Sequence, residues 1–258
     1  MGSTDINGAT NGNWTRDLIL TMDALYHLSY RGMWLIIVSS YELQNFLRLS
    51  VFLYNAGYMK LFVFDTETTG FVEREGPLEV QPYIVQFSGI LLELQSDKTL
   101  KEIDRIDAYV KPPISIPFGA SQVHGIYDKD VVDKAAIADQ MDTFLSFLNS
   151  ADMVVWHNIE YDESVINYEL QRLGRKGDYN PQKTLCTMKS TVDFCALPGR
   201  WIGFKFPKLN EIYKKLFGEY FEWAHSAIYD VEATVKVLQK LLQLDVLKIE
   251  ENTVMRLF

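Results

Sequence analysis

Three short stretches of this chain place acids and a histidine where hydrolytic chemistry could use them. The first is Asp65-Thr66-Glu67-Thr68-Thr69-Gly70, directly after the apolar run Leu61–Phe64. In a strand, residues i and i+2 point to one face. Asp65 and Glu67 therefore present two carboxylates side by side at the end of a buried strand. Such a pair repels, and its pKa values rise unless a cation joins it. Divalent metals are the simplest remedy, because hard cations take carboxylate oxygens. An Asp-x-Glu pair in a chain with 34 acids is most often solvated surface. The buried run before this one sets it apart.

The second stretch, His157-Asn158-Ile159-Glu160-Tyr161-Asp162, follows the apolar run Met153–Trp156 and opens a helical pattern. Ligands gather at the C-terminal edge of strands in α/β sheets. Asp162 falls in the first helical turn, where an anion is also favoured simply by the helix dipole. The third stretch is His225-Ser226-Ala227-Ile228-Tyr229-Asp230. His225 stands at the edge of the last helical pattern, and Asp230 lies one turn in. Imidazole, with a pKa near ~6.5, can take a proton from water at neutral pH. Each stretch alone is weak. Together they supply the inventory of two-metal phosphodiester hydrolysis: acids to hold two cations and a base for the attacking water.

The elements that must gather these residues can be read from periodicity. Tyr83–Leu94 and Leu100–Val110 are β-rich runs around a polar turn, the pattern of an antiparallel hairpin. Residues 111–126 form a Pro-rich connection ending in Val123-His124-Gly125-Ile126. Helices are expected over Ala136–Asn149, Glu160–Leu173 and Ser226–Leu244, with a strand at Met153–Trp156 and a last short one at Thr184–Met188. Pro207 suits the first position of a helix that Gly218 would stop after Phe217. Strands come first as a meander and then alternate with helices. The expected fold class is α/β, a mixed sheet with antiparallel and parallel strands flanked by helices. That domain spans 59–258. Residues 1–58 read as an N-terminal extension: a polar lead over 1–13, then two helices.

Bulk composition narrows the classes. The chain has 258 residues, 48% hydrophobic, with a formal net charge of −9. A nucleic-acid coat protein would be basic, whereas a cluster of catalytic carboxylates is acidic by necessity. Two cysteines, Cys186 and Cys195, fit neither a zinc pattern nor a disulfide framework and read as small core residues of an intracellular, cytoplasmic protein. The apolar stretch Met33–Tyr54 is broken by Glu42 and Arg48. Its uncharged pieces fall short of the ~20 residues that cross a bilayer, so no membrane association is expected.

The three stretches resemble the three motifs of the DEDDh family of 3′→5′ exonucleases, which includes the proofreading subunit of bacterial replicative DNA polymerase. The resemblance covers about residues 59–245. Asp65 and Glu67 match the first motif, Asp162 with His157-Asn158 and Tyr161 the second, and His225 and Asp230 the third. A sister subclass carries Tyr four residues before the last Asp; here that position is Ser226. The resemblance implies a ribonuclease H-like fold and two divalent cations, Mg²⁺ or Mn²⁺. Asp65 would bridge both, Glu67 and Asp230 would complete one site, and Asp162 would support the other. His225 would be the general base. Thr66, Thr68, Thr69, His124 and Asn158 would line the terminal nucleotide, the threonine stretch through its backbone. The implied function is release of nucleoside monophosphates from single-stranded 3′ ends, DNA favoured over RNA. A polymerase or another nucleic-acid-processing protein is a candidate partner.

Two other readings stay open: an RNA-processing exoribonuclease of the same family, and a non-catalytic nucleic-acid-binding module, which would be expected to lack a ligand. The aromatic stretch 174–224 includes Trp201, Phe204 and Phe206, whose rings could stack on bases or fill a core. Lys205, Lys208, Lys214 and Lys215 could track a phosphate backbone or simply solvate a helix face.

Overall fold

The computed structural model describes residues 59–200, 202–221 and 226–249. The helices expected within 14–58, and His225 itself, lie outside the described residues. Strand β1 covers Met59–Thr68, β2 Ile84–Leu94 and β3 Leu100–Tyr109, an antiparallel meander. β4 (Met153–Trp156) runs parallel to β1, and β5 (Thr184–Cys186) parallel to β4. The sheet order is β3-β2-β1-β4-β5. This is the mixed sheet expected from the sequence.

The helices differ from expectation in detail. The connection after β3 is not irregular throughout. It contains α1 (Phe118–His124) and α2 (Asp128–Val131), with Gly125 in the left-handed region (φ 76°) ending α1. Helices α3 (Ile137–Ser150) and α4 (Ile159–Arg172) follow as expected within a residue or two. β5 stops at Cys186, because Thr187 opens α5 (Thr187–Ser190), which is followed by α6 (Val192–Cys195). Helix α7 (Leu209–Phe217) begins after Lys208, so Pro207 precedes the helix rather than occupying its first position. Gly218 ends it at φ 84°. The last described helix, α8, spans Ala227–Gln243.

The pleat of β1 divides the core. Phe62 and Phe64 face a cluster containing Met141, Phe144 and Leu148 of α3 and Val165, Ile166 and Leu170 of α4. Leu61 and Val63 face Val231, Leu238 and Leu242 of α8. Asp65 and Glu67 continue the second row and so lie on the α8 face. Space between β1 and β2 is tight: a Cβ on Gly89 would come within 2.2 Å of the Phe62 ring. Cys186 and Cys195 are buried free thiols, as expected.

One asymmetry of the sheet prepares the site. β1 pairs with β2 over its whole length but with β4 only at Leu61–Val63. Past Val63 the β4 side of β1 opens into a crevice. The first turn of α4 enters it.

Candidate active site

The crevice collects the acids. Asp65 and Glu67 come from the far half of β1, and Asp230 comes from the first turn of α8. One carboxylate oxygen of each lies within 4.8 Å of the others, the arrangement that could hold a cation among the described residues. Asp162 arrives from the opposite face, in the first turn of α4, and is 3% exposed. Its Oδ1 accepts the Thr66 amide (3.1 Å) and the Thr66 hydroxyl (2.7 Å). The crevice thus supplies an N–H that no strand partner takes, and Asp162 takes it.

Burial and mutual repulsion raise the acids' pKa values. Glu67 is pushed up to about 8, first by burial and then by Asp230 and Asp162. Asp162 is pushed up to about 7 by burial and by Asp230, against the Thr66 hydrogen bonds that hold it down. Asp65 lies well above the carboxylate range, from burial and then from Asp162, Glu67 and Asp230. Such a site is short of positive charge. An all-oxygen donor set of this kind suits Mg²⁺ or Mn²⁺, so the residues present fit the metals that the motifs imply.

A polar network behind the acids was not foreseen from sequence. Asp65, Ser88 and Asp107 lie opposite one another across β1, β2 and β3, and Glu67 lies opposite Gln86. The Ser88 hydroxyl and the Gln86 amide both donate to Asp107 Oδ1 at 2.7 Å. Gln86 Oε1 accepts the N–H of Ala227 at 3.3 Å. A buried glutamine on β2 therefore caps the helix that carries Asp230. The available signal was Gln86 and Ser88 interrupting the apolar run of β2.

Of the expected substrate-side residues, Thr66 and Thr68 end β1, Thr69 follows them, and His124 meets the Thr68 backbone. Thr68 Oγ1 pairs with the Tyr161 hydroxyl and donates to Gly70 O at 2.7 Å. Thr69 Oγ1 accepts the Tyr83 N–H at 2.9 Å. Thr66, Thr68 and Thr69 are all buried, and their hydroxyls serve the architecture. His124 is buried, and its Nδ1 accepts the Ile126 N–H at 3.1 Å. Burial holds its pKa below the ordinary value, opposed by the Thr68 backbone. Asn158 is exposed and left-handed (φ 92°) at the start of α4. His157 beside it is held by the Thr187 hydroxyl (2.9 Å) and the Pro207 carbonyl (3.0 Å), and burial pulls its pKa down to about 4.

Comparison with known proteins decides the family. Residues 62–238 match the RNase T family, described as Exonuclease. The chain belongs to this exonuclease family. That family agrees with the DEDDh resemblance of the motifs, and the sheet is ribonuclease H-like. DNA polymerase III subunit epsilon of Buchnera aphidicola (subsp. Acyrthosiphon pisum) is 30% identical over 139 residues, 52% of each chain. The 3′-5′ exonuclease DinG of Bacillus subtilis is 27% identical over 189 residues, 72% of this chain and 18% of that one. The chain thus spans about half the length of the epsilon subunits it matches. Among solved structures, the nuclease domain of 3′hExo, a DEDDh family member bound to rAMP, overlays with a TM-score of 0.59. It is 20% identical, and the match covers 76% of this chain and 98% of that one. E. coli exonuclease I with a dT13 oligonucleotide overlays with a TM-score of 0.56 at 19% identity, covering 71% and 41%. Among the described residues, no helix is long and apolar enough to cross a membrane.

Proposed function

We propose that this chain is a two-metal-ion exonuclease that removes nucleoside monophosphates from the 3′ ends of single-stranded nucleic acid, DNA in preference to RNA. The convergence of Asp65, Glu67 and Asp230 within 4.8 Å at the open end of β1 carries the reading. Asp65 would bridge two divalent cations, Glu67 and Asp230 would complete one site, and Asp162 would support the other. Cations bound there would offset the crowded carboxylates and the charge that develops on the phosphoryl oxygens. Thr66 fixes Asp162 through two hydrogen bonds, so that carboxylate is oriented before any ligand binds. Gln86 holds the start of α8 and with it Asp230. His225, five residues before Asp230, would take the proton of the attacking water. His124, Asn158 and the backbone of Thr66–Thr69 would receive the terminal nucleotide. The preference for DNA and a polymerase as partner rest on the epsilon-subunit relatives. Residues 59–258 would form the nuclease domain of an intracellular enzyme, with 1–58 an extension dispensable for hydrolysis.

The test is digestion of 3′-labelled and 5′-labelled single-stranded DNA and RNA with Mg²⁺, Mn²⁺ or EDTA. Release of the 3′ label as mononucleotide, faster on DNA and abolished by EDTA, is expected. Internal cuts, or full activity in excess EDTA, would sink the proposal.

A further inference from the structure

The polypeptide between Asp193 and Glu211 holds no acid at all, in a chain whose net charge is −9. It carries Arg200, Lys205 and Lys208 instead. Its centre is a small antiparallel hairpin. Gly199 N–H donates to Gly203 O, and Lys205 N–H to Leu197 O, each at 2.9 Å. Pro198 and Phe204 form the bridge between the arms. The turn needs its glycines: Gly203 has φ 79°, and a Cβ on Gly199 would stand 2.9 Å from Gly203 O. Leu197 anchors the hairpin against the core, but three of its described apolar side chains face outward. Ile202 is 98% exposed, Phe204 51% and Phe206 57%. Single exposed apolar residues need no explanation, but three within five residues form a patch. Phe204 and Phe206 stand at the spacing that shares one face of an extended segment, with Lys205 between them. Lys205 pairs with Glu211, while Lys208 is exposed.

The hairpin is rooted beside the acidic cluster. Pro207 is buried, and its carbonyl accepts from His157 at 3.0 Å. His157 immediately precedes the turn into α4, whose first turn carries Asp162. Aromatic faces interleaved with cations, anchored next to a site for a strand's 3′ end, match the chemistry of single-strand binding: rings stack on bases and cations follow the backbone. A protein partner would use the apolar side chains but would have no need of an acid-free, basic frame.

We infer that the Leu197–Lys208 hairpin is the platform for single-stranded nucleic acid upstream of the 3′-terminal nucleotide, with Phe204 and Phe206 stacking on bases and Lys208 on a phosphate. This rests on the exonuclease reading above and adds to it a subsite that sets dependence on strand length. The test compares full-length wild type with Phe204→Ala/Phe206→Ala and with Lys208→Gln. Two substrates are used: a dT12 strand, and the p-nitrophenyl ester of thymidine 5′-monophosphate, which has no upstream strand. The double variant should raise KM for dT12 by about 10-fold or more, the scale of lost base stacking. Its kcat on dT12 and its hydrolysis of the ester should stay at wild-type values. Lys208→Gln should reduce the slope of log binding against log salt by roughly 0.7, one phosphate contact on a single strand. Fluorescence anisotropy with labelled dT12 in EDTA reads binding independently of catalysis. If wild type cleaves neither substrate, the exonuclease reading fails, while anisotropy still decides the hairpin. Equal binding of dT12 by wild type and double variant, or no binding by wild type, overturns the inference. Equal loss on dT12 and the ester does so too, because the hairpin would then only support the fold.

Discussion

Replacing Glu67 by Gln should make the metal-free protein more stable, and by an amount that depends on pH. Glu67 shifts from 4.5 to about 8 on folding, with burial the largest cause and Asp230 and Asp162 next. Because the folded pKa is raised, the stability linked to Glu67 is fully present below about 4.5 and is lost as pH rises through about 8. At 1.36 kcal/mol per pKa unit, the loss between pH 4.5 and neutrality is about 3 kcal/mol. Gln cannot ionise and fills nearly the same space. Urea unfolding in EDTA, at acid and at slightly alkaline pH, measures the difference. The two proteins should match within about 1 kcal/mol at the acid end. They should separate by a few kcal/mol at the alkaline end, with the variant more stable. Mg²⁺ should then close the gap by stabilising only the wild type substantially. Parallel pH profiles for wild type and variant in EDTA would refute the reasoning, since the carboxylates would not be crowded in the folded state.

Other outcomes follow from particular contacts. His225→Ala should lower turnover by roughly 10²–10⁴-fold with little change in metal affinity; near-normal turnover in steady-state kinetics would remove His225 from the role of base. Gln86→Leu leaves the Ala227 N–H without its acceptor and removes one of the two donors to Asp107, and should cost about 1–3 kcal/mol in denaturant unfolding, together with weaker Mn²⁺ binding by calorimetry. Unchanged Mn²⁺ affinity would separate Gln86 from the placement of Asp230. Gly89→Ala drives a methyl into the Phe62 ring and should destabilise by about 1–3 kcal/mol; a neutral effect on melting would show that the ring can move aside.

The legible parts of the molecule were those with local cause. β4 was readable residue for residue, because four apolar residues stand between Asp152 and His157. The long helices were legible from their apolar stripes. The apolar run of β1 ends at Phe64, so only the Asp65/Glu67 alternation extended the strand in sequence, whereas pairing with β2 carries it on to Thr68. Helix α1 was hidden by the prolines before it and by Gly119 within it. For the site, residue types at element ends were enough to gather Asp65, Glu67, Asp162 and Asp230. The Thr66–Asp162 bonds and the Gln86 cap were not accessible, since both join residues about a hundred positions or more apart whose register only the sheet defines. The exposed hairpin was half legible: its rings and cations were visible, but a core was the favoured reading of the rings until exposure separated them.

The acidic cluster joins β1 to α8, elements whose aspartates are 165 positions apart in the chain. Contacts of that span close late, because the intervening chain must be ordered first. During synthesis, β1 emerges long before the helix that brings Asp230. A nascent or partly folded chain therefore holds Asp65 and Glu67 without their third partner. Any chemistry that needs all three carboxylates therefore requires a nearly complete fold, and the site doubles as a report on whether the two ends of the domain have met.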